Sequence, residues 1–80
     1  MSALREKLLE IVASYATGDT AGLATAKTIR ELPVDSVGML GVLDEIEDEF
    51  GIKIGEGLQP ETTIDDFEAL VAGLIAARDA

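Results

Sequence analysis

The chain has 80 residues, a net charge of −10, and neither Cys nor His. These absences exclude thiol nucleophiles, Ser-His-Asp relays, disulfides and Cys/His metal sites, and six basic residues against 16 acidic ones exclude nucleic acid and anionic membranes as partners. Leu, Ile, Val and Phe account for 24 residues, which is enough for one small folded domain but no more.

The first predicted helix covers about residues 3–16. Ser2 is its expected N-cap, and Thr17-Gly18 is its expected end. Apolar residues recur through it at helical spacing, with charged residues on the opposite side. The apolar positions are Leu4, Leu8, Ile11, Val12 and Tyr15. No signal-type pattern occupies residues 1–16 and no apolar run is long enough to cross a membrane, so we expect a soluble, cytoplasmic protein. We also expect it to be a monomer.

A long connection is predicted for residues 17–35, where Gly18, Gly22 and Pro33 interrupt the helical pattern. Connections of this length are uncommon in small domains and are often functional. We expect four apolar residues to anchor the connection to the bundle. They are Leu23, Ile29, Leu32 and Val34.

The second helix is predicted over about residues 36–50, with Asp35 or Ser36 as its cap and Gly51 at its end. Its apolar stripe predicts four residues directed at the core. They are Met39, Leu43, Ile46 and Phe50.

A short helical turn near 56–61 and a last helix over about 64–78 complete the pattern, with Thr63 as the cap of the last helix. Its apolar stripe contains Phe67, Leu70, Val71, Leu74 and Ile75. The sequence thus predicts an all-α fold, a small four-helix bundle of three main helices and one short one.

Ser36 is the residue whose position permits chemistry. A serine at the start of a helix usually acts only as a cap. The free N–H groups and the dipole at a helix N-terminus also favour a negative group there, so a phosphate ester on this hydroxyl would be stabilised. Position alone leaves both interpretations open.

Two motifs around this serine resemble those of the acyl carrier protein family, which has an Asp-Ser-Leu motif opening its second helix and, further on, an acidic stretch ending in Phe before an Ile-x-Ile pair. The motifs in this chain are Asp35-Ser36-Val37 and Glu49-Phe50-Gly51-Ile52-Lys53-Ile54. Thr62-Thr63-Ile64, at the start of the last helix, is also similar, and the resemblance covers the whole chain.

The resemblance implies that a phosphopantetheinyl transferase esterifies Ser36, beside its motif neighbour Asp35, with 4′-phosphopantetheine. The protein is then a free-standing carrier of acyl thioesters and not an enzyme, and it requires no metal. A calcium site among the acids of residues 44–49 is disfavoured, because Ile46 occupies a ligand position of the loop pattern.

A second face of the predicted helix two begins beside Ser36 and suits docking to basic patches on partner enzymes, such as a loading enzyme, ketosynthase or acyltransferase. The predicted docking residues are Val37, Leu40, Gly41, Asp44, Glu47 and Asp48. The alternative for the acids is an ordinary solvated helix face.

Departures from the family pattern bear on the pathway. Gly38 and Gly41 replace residues that are often acidic, and Asp44 replaces one that is often bulky and apolar. We therefore expect polyketide or other specialised biosynthesis rather than bulk fatty-acid synthesis. Gly38 and the run 45–47 are also similar to D-alanyl and other aminoacyl carrier proteins, which is the alternative within carriers. An unmodified acidic interaction module, with Ser36 only a cap, is the alternative of a different class.

Overall fold

The structure is a computed structural model that describes residues 3–18, 20, 22–55 and 58–79. Within them lie three α-helices, α1 (Ala3–Ser14), α2 (Ser36–Phe50) and α3 (Ile64–Arg78). Short 3₁₀ helices at Leu23–Thr25 and Ile29–Glu31 interrupt the connection between α1 and α2. The all-α prediction is confirmed, and no described helix is both long and apolar enough to cross a bilayer.

The end of α1 is held by the segment that precedes α2. The helix stops at Ser14, slightly before the predicted limit, and its last turn closes through the amide of Tyr15. The backbone N–H of Thr17 then donates to the carbonyl of Pro33 at 2.9 Å. This contact turns the chain away from the helix axis and brings residues 32–34 against the end of α1. Ser2, the predicted cap, lies outside the described residues.

Gly51 ends α2 because it adopts the left-handed conformation, with φ of 64° and ψ of 41°. The chain then doubles back along the helix, and the N–H of Ile54 donates to Oε2 of Glu47 at 2.8 Å. Ile52 and Ile54 are buried while Lys53 is exposed. The Ile-x-Ile pair therefore supplies two core residues without forming a strand among the described residues.

The core is aliphatic apart from one Phe, and all three helices and both connections contribute to it. The buried residues are Leu8, Ile11, Val12, Ile29, Leu32, Val42, Ile46, Ile52, Ile54, Ile64, Phe67 and Val71. Val42 was not part of the predicted stripe of α2, whereas Met39, Leu43 and Phe50 of that stripe are only partly buried. The most buried side of α2 is thus rotated toward Val42 and Ile46, which are both 0% exposed, and α1 contacts both α2 and α3.

The connection before α3 is a turn rather than a helix in its described part. Glu56 and Gly57, which belong to the predicted helical turn near 56–61, lie outside the described residues. Gln59 and Thr62 close the turn that follows: the Thr62 N–H donates to the Gln59 carbonyl and the Gln59 N–H donates to Thr62 Oγ1, both at 3.0 Å. Thr63 then caps α3 by accepting from the N–H of Asp66 at 3.0 Å.

Candidate functional site

Ser36 is the first residue of α2, and its side chain is exposed. The cap is Asp35, whose Oδ1 accepts from the Gly38 N–H at 2.7 Å, while its carbonyl accepts from the Met39 N–H at 2.8 Å. The Ser36 hydroxyl makes no hydrogen bond with any residue that the structure describes. The capping function that the sequence left open between the two residues therefore belongs to Asp35, and the serine oxygen is available for reaction.

The segment leading to Ser36 is held from two sides. The Pro33 carbonyl accepts from both the backbone N–H and Oγ1 of Thr17, at 2.9 and 3.3 Å. Leu32 is buried in the core, and the N–H of Val34 donates back to its carbonyl at 2.8 Å. Because these contacts precede the helix directly, they fix where α2 begins and where Ser36 is presented.

A cleft of about 300 Å³ opens beside Ser36. Three parts of the chain line it: the segment before α2, the first turns of α2 and the turn before α3. Its lining residues are Ile29, Arg30, Val34, Asp35, Ser36, Met39, Leu43, Leu58, Gln59 and Pro60. Most of them are apolar. Met39 and Leu43, predicted as core, are thus partly buried walls of this cleft.

The opposite side of α2 exposes two large apolar side chains. Val37 is 77% exposed and Leu40 is 65% exposed. Asp44 and Asp48 are also exposed. At about 100° per residue, these two aspartates lie within one arc of the helix together with Val37 and Leu40. We call Val37, Leu40, Asp44 and Asp48 the α2 outer face.

Two other residues predicted for docking have internal contacts. Glu47 is partly buried, and its carboxylate holds the Ile54 amide. Gly41 is also partly buried, because the ring of Tyr15 lies against it: a Cβ added at Gly41 would lie 2.9 Å from Cδ1 of that ring and closer still to Cε1. Gly41 and Glu47 therefore border the α2 outer face, but they are partly buried and engaged in contacts within the chain.

Tyr15 connects the end of α1 to α2. Its hydroxyl donates to Oε1 of Glu45 at 3.0 Å. This hydrogen bond, followed by desolvation and by the negative charges of Glu45 and Asp44, raises the pKa of the Tyr15 phenol above its usual value. The backbone carbonyl of Tyr15 also lies where a Cβ at Gly38 would be only 3.2 Å away. The nearest atom to a Cβ at Gly38 would be Oδ1 of Asp35, at 3.1 Å. Tyr15 thus accounts for Gly41, whereas Asp35 and Tyr15 together leave little room for a side chain at Gly38.

Gly41→Ala is expected to lower the free energy of unfolding, although alanine is favoured over glycine inside a helix by about 1 kcal/mol. The added methyl displaces the Tyr15 ring and breaks its hydrogen bond to Glu45. Gly73→Ala in α3 is the matched control, because a Cβ there meets nothing within 4 Å. Chemical denaturation should show the control stabilised and Gly41→Ala destabilised. In a Tyr15→Ala background Gly41→Ala should become stabilising, and equal stabilisation by both alanines in the native background would contradict the packing.

No group of acidic side chains among the described residues is arranged to hold a metal ion. Comparison with protein families matched residues 6–71 to the family described as the phosphopantetheine attachment site. Comparison with curated proteins and with solved structures gave no match.

Proposed function

The chain belongs to the phosphopantetheine attachment-site family, and we propose that it is an acyl carrier protein in which Ser36 takes the arm. Members of this family are carrier domains rather than enzymes, and they bear a covalent 4′-phosphopantetheine. They interact with a phosphopantetheinyl transferase and with the enzymes of a biosynthetic pathway. For this chain, we propose which residue carries the arm and which class of cargo the arm holds.

The surroundings of Ser36 fit the arm. Its hydroxyl is exposed and its oxygen lies at the N-terminus of α2, where a phosphodiester is stabilised by free N–H groups and the helix dipole. Asp35 meets the capping requirement, so esterification of Ser36 leaves the helix start intact. When bound, the arm supplies the terminal thiol that this Cys-free chain lacks and holds the cargo as a thioester.

The apolar cleft beside Ser36 is the observation that carries the proposed cargo class. Met39, Leu43 and Leu58 offer an apolar chain a surface from which water is removed, at about 0.8 kcal/mol per buried CH₂ group. A cationic aminoacyl group gains nothing there, since burying an unpaired ammonium is costly. Gly38, one of the features shared with aminoacyl carriers, is accounted for by the close approach of Asp35 and Tyr15, which leaves little room for a side chain. These points favour an acyl intermediate of polyketide, other specialised or fatty-acid biosynthesis.

The cargo class is tested by loading the chain in one step from different coenzyme A thioesters. Hexanoyl, octanoyl and β-alanyl arms are transferred by a permissive phosphopantetheinyl transferase and verified by intact mass. We expect the melting temperature to rise from the free-thiol form to the hexanoyl form and again to the octanoyl form. The β-alanyl form should match the free thiol. Equal melting temperatures for octanoyl and β-alanyl forms would contradict an acyl-selective cleft.

The α2 outer face is proposed as the docking surface for partner enzymes. Val37 and Leu40 supply exposed apolar contact, and Asp44 and Asp48 supply charges complementary to a basic patch. Glu47 is left out of this surface because its carboxylate holds the Ile54 amide. An enzyme seated on the α2 outer face would lie next to the Ser36 oxygen.

Reversing Asp44 and Asp48 to Lys together should lower kcat/KM for arm transfer by about tenfold at low salt, and by much less at high salt, because these charges act on encounter. Leu40→Asp should lower kcat/KM at both salt concentrations, since it places an unpaired charge in the docked contact. Glu6→Lys with Glu10→Lys is the control of equal charge change, at two exposed positions one helical turn apart on α1. Equal losses in the control pair would show a general charge effect instead of a docking surface.

A further inference from the structure

Among the described residues that line the cleft beside Ser36, one is cationic. Arg30 lies there with Ser36, and the other polar lining residues are Asp35 and Gln59. The chain has a net charge of −10, so a cationic residue in the lining of the same cleft as the proposed attachment residue calls for an explanation. The Arg30 side chain has no role in the attachment, cargo binding or docking proposed above.

The backbone around Arg30 is fixed. Its N–H donates to the Pro60 carbonyl at 2.9 Å, and the N–H of Ile29 donates to the Thr62 carbonyl at the same distance. The N–H of Ile64 donates in return to the Lys27 carbonyl at 2.8 Å. These three bonds join the segment before α2 to the turn before α3, so the origin of the Arg30 side chain is held at the edge of the cleft.

The Arg30 side chain itself is weakly held. It forms an ion pair with Glu61, and the two side chains are 68% and 69% exposed. Ion pairs with this exposure contribute little to stability, because water solvates both partners nearly as well apart as together. Arg30 can therefore exchange Glu61 for a better anionic partner at small cost.

We infer that Arg30 binds the phosphodiester that joins the arm to Ser36, and so directs the arm along the cleft. A guanidinium offers paired N–H donors that match two phosphate oxygens. Its contact with a phosphodiester is therefore stronger than its exposed ion pair with Glu61. Its charge also offsets the repulsion between the phosphodiester and the neighbouring Asp35 carboxylate. This inference rests on attachment at Ser36, and it assigns to the chain a phosphate-binding residue outside the attachment motif.

The test compares Arg30→Gln with Lys27→Gln, an equal loss of charge at an exposed position in the same segment. Each protein is first converted to the holo form and checked by intact mass. An unchanged mass in the native chain would show that attachment itself fails, which is a separate result from a failure of Arg30 to bind the phosphodiester. The ³¹P resonance of the holo protein and the Arg30 Nε–H resonance are then recorded by NMR. Melting temperatures of apo and holo forms are measured at low salt.

We expect the Arg30 Nε–H resonance to move when the native apo protein becomes holo. The ³¹P resonance should shift in holo Arg30→Gln and stay in place in holo Lys27→Gln. For each protein, we take the change in melting temperature on conversion from apo to holo. This change should be more negative for Arg30→Gln than for the native protein. For Lys27→Gln it should equal the native change. An Arg30 resonance that does not move, with identical ³¹P positions in both variants, would overturn the inference.

Discussion

Ser36→Ala is expected to accept no arm, whereas the native chain gains the mass of one phosphopantetheine when incubated with a phosphopantetheinyl transferase and coenzyme A. The alanine removes the oxygen that attacks the pantetheine-side phosphorus of coenzyme A, a step that breaks the pyrophosphate bridge and releases adenosine 3′,5′-bisphosphate. It does not remove the cap of α2, which belongs to Asp35. Intact mass measures the outcome directly, and circular dichroism should show the same helicity in both proteins because Ser36 is exposed.

The matched control for this prediction is Ser14→Ala. Ser14 is also exposed, but it ends α1, and its hydroxyl donates to the Glu10 carbonyl at 3.2 Å. It therefore lacks the N-terminal helix field that favours a phosphodiester at Ser36. We expect Ser14→Ala to accept one arm at the native rate. An arm added to Ser36→Ala, or no arm added to the native chain, would contradict attachment at Ser36.

Ile46→Ala is expected to lower the free energy of unfolding by about 2–5 kcal/mol, because it deletes a fully buried side chain and leaves a cavity. Ile46 is 0% exposed at the centre of α2. Small domains have roughly 5–15 kcal/mol of stability in total, so this variant should lose a large part of it. Chemical denaturation with a fixed m-value gives the measurement.

Leu40→Ala on the same helix is the control for that loss. Leu40 projects into solvent on the α2 outer face, so truncation should change stability by no more than about 0.5 kcal/mol. Both alanines suit a helix, and the comparison therefore isolates burial from helix propensity. Similar losses in the two variants would show that α2 is rotated differently from the structure.

The sequence by itself determined the chemistry available to this protein. The absence of Cys and His leaves few reactive groups, and the resemblance of Asp35-Ser36-Val37 to the acyl carrier protein motif, rather than position alone, indicates Ser36 as the candidate for a phosphodiester. Local rules were sufficient for the three helices, because caps, glycine ends and the helical period depend on residues within a turn or two of one another. The all-α fold follows from the same short-range information.

The rotation of α2 was decided only by the tertiary structure. Apolar spacing gives the direction of a helix's apolar side, but the apolar residues of α2 cover a wider arc than the part that is buried in the core. Val42 and Ile46 therefore fill the core, while Met39 and Leu43 remain at the cleft. No local spacing distinguishes these two pairs, since all four residues are apolar.

The surroundings of Ser36 and of the predicted docking residues were likewise decided by contacts between different segments of the chain. Gly41 is explained by Tyr15, Glu47 by the Ile54 amide, and the position of Arg30 by the Pro60 carbonyl. Each of these contacts joins segments that helical periodicity treats as separate. The cleft exists because three such segments meet beside one serine, and that meeting depends on how the helices pack rather than on any spacing in the sequence.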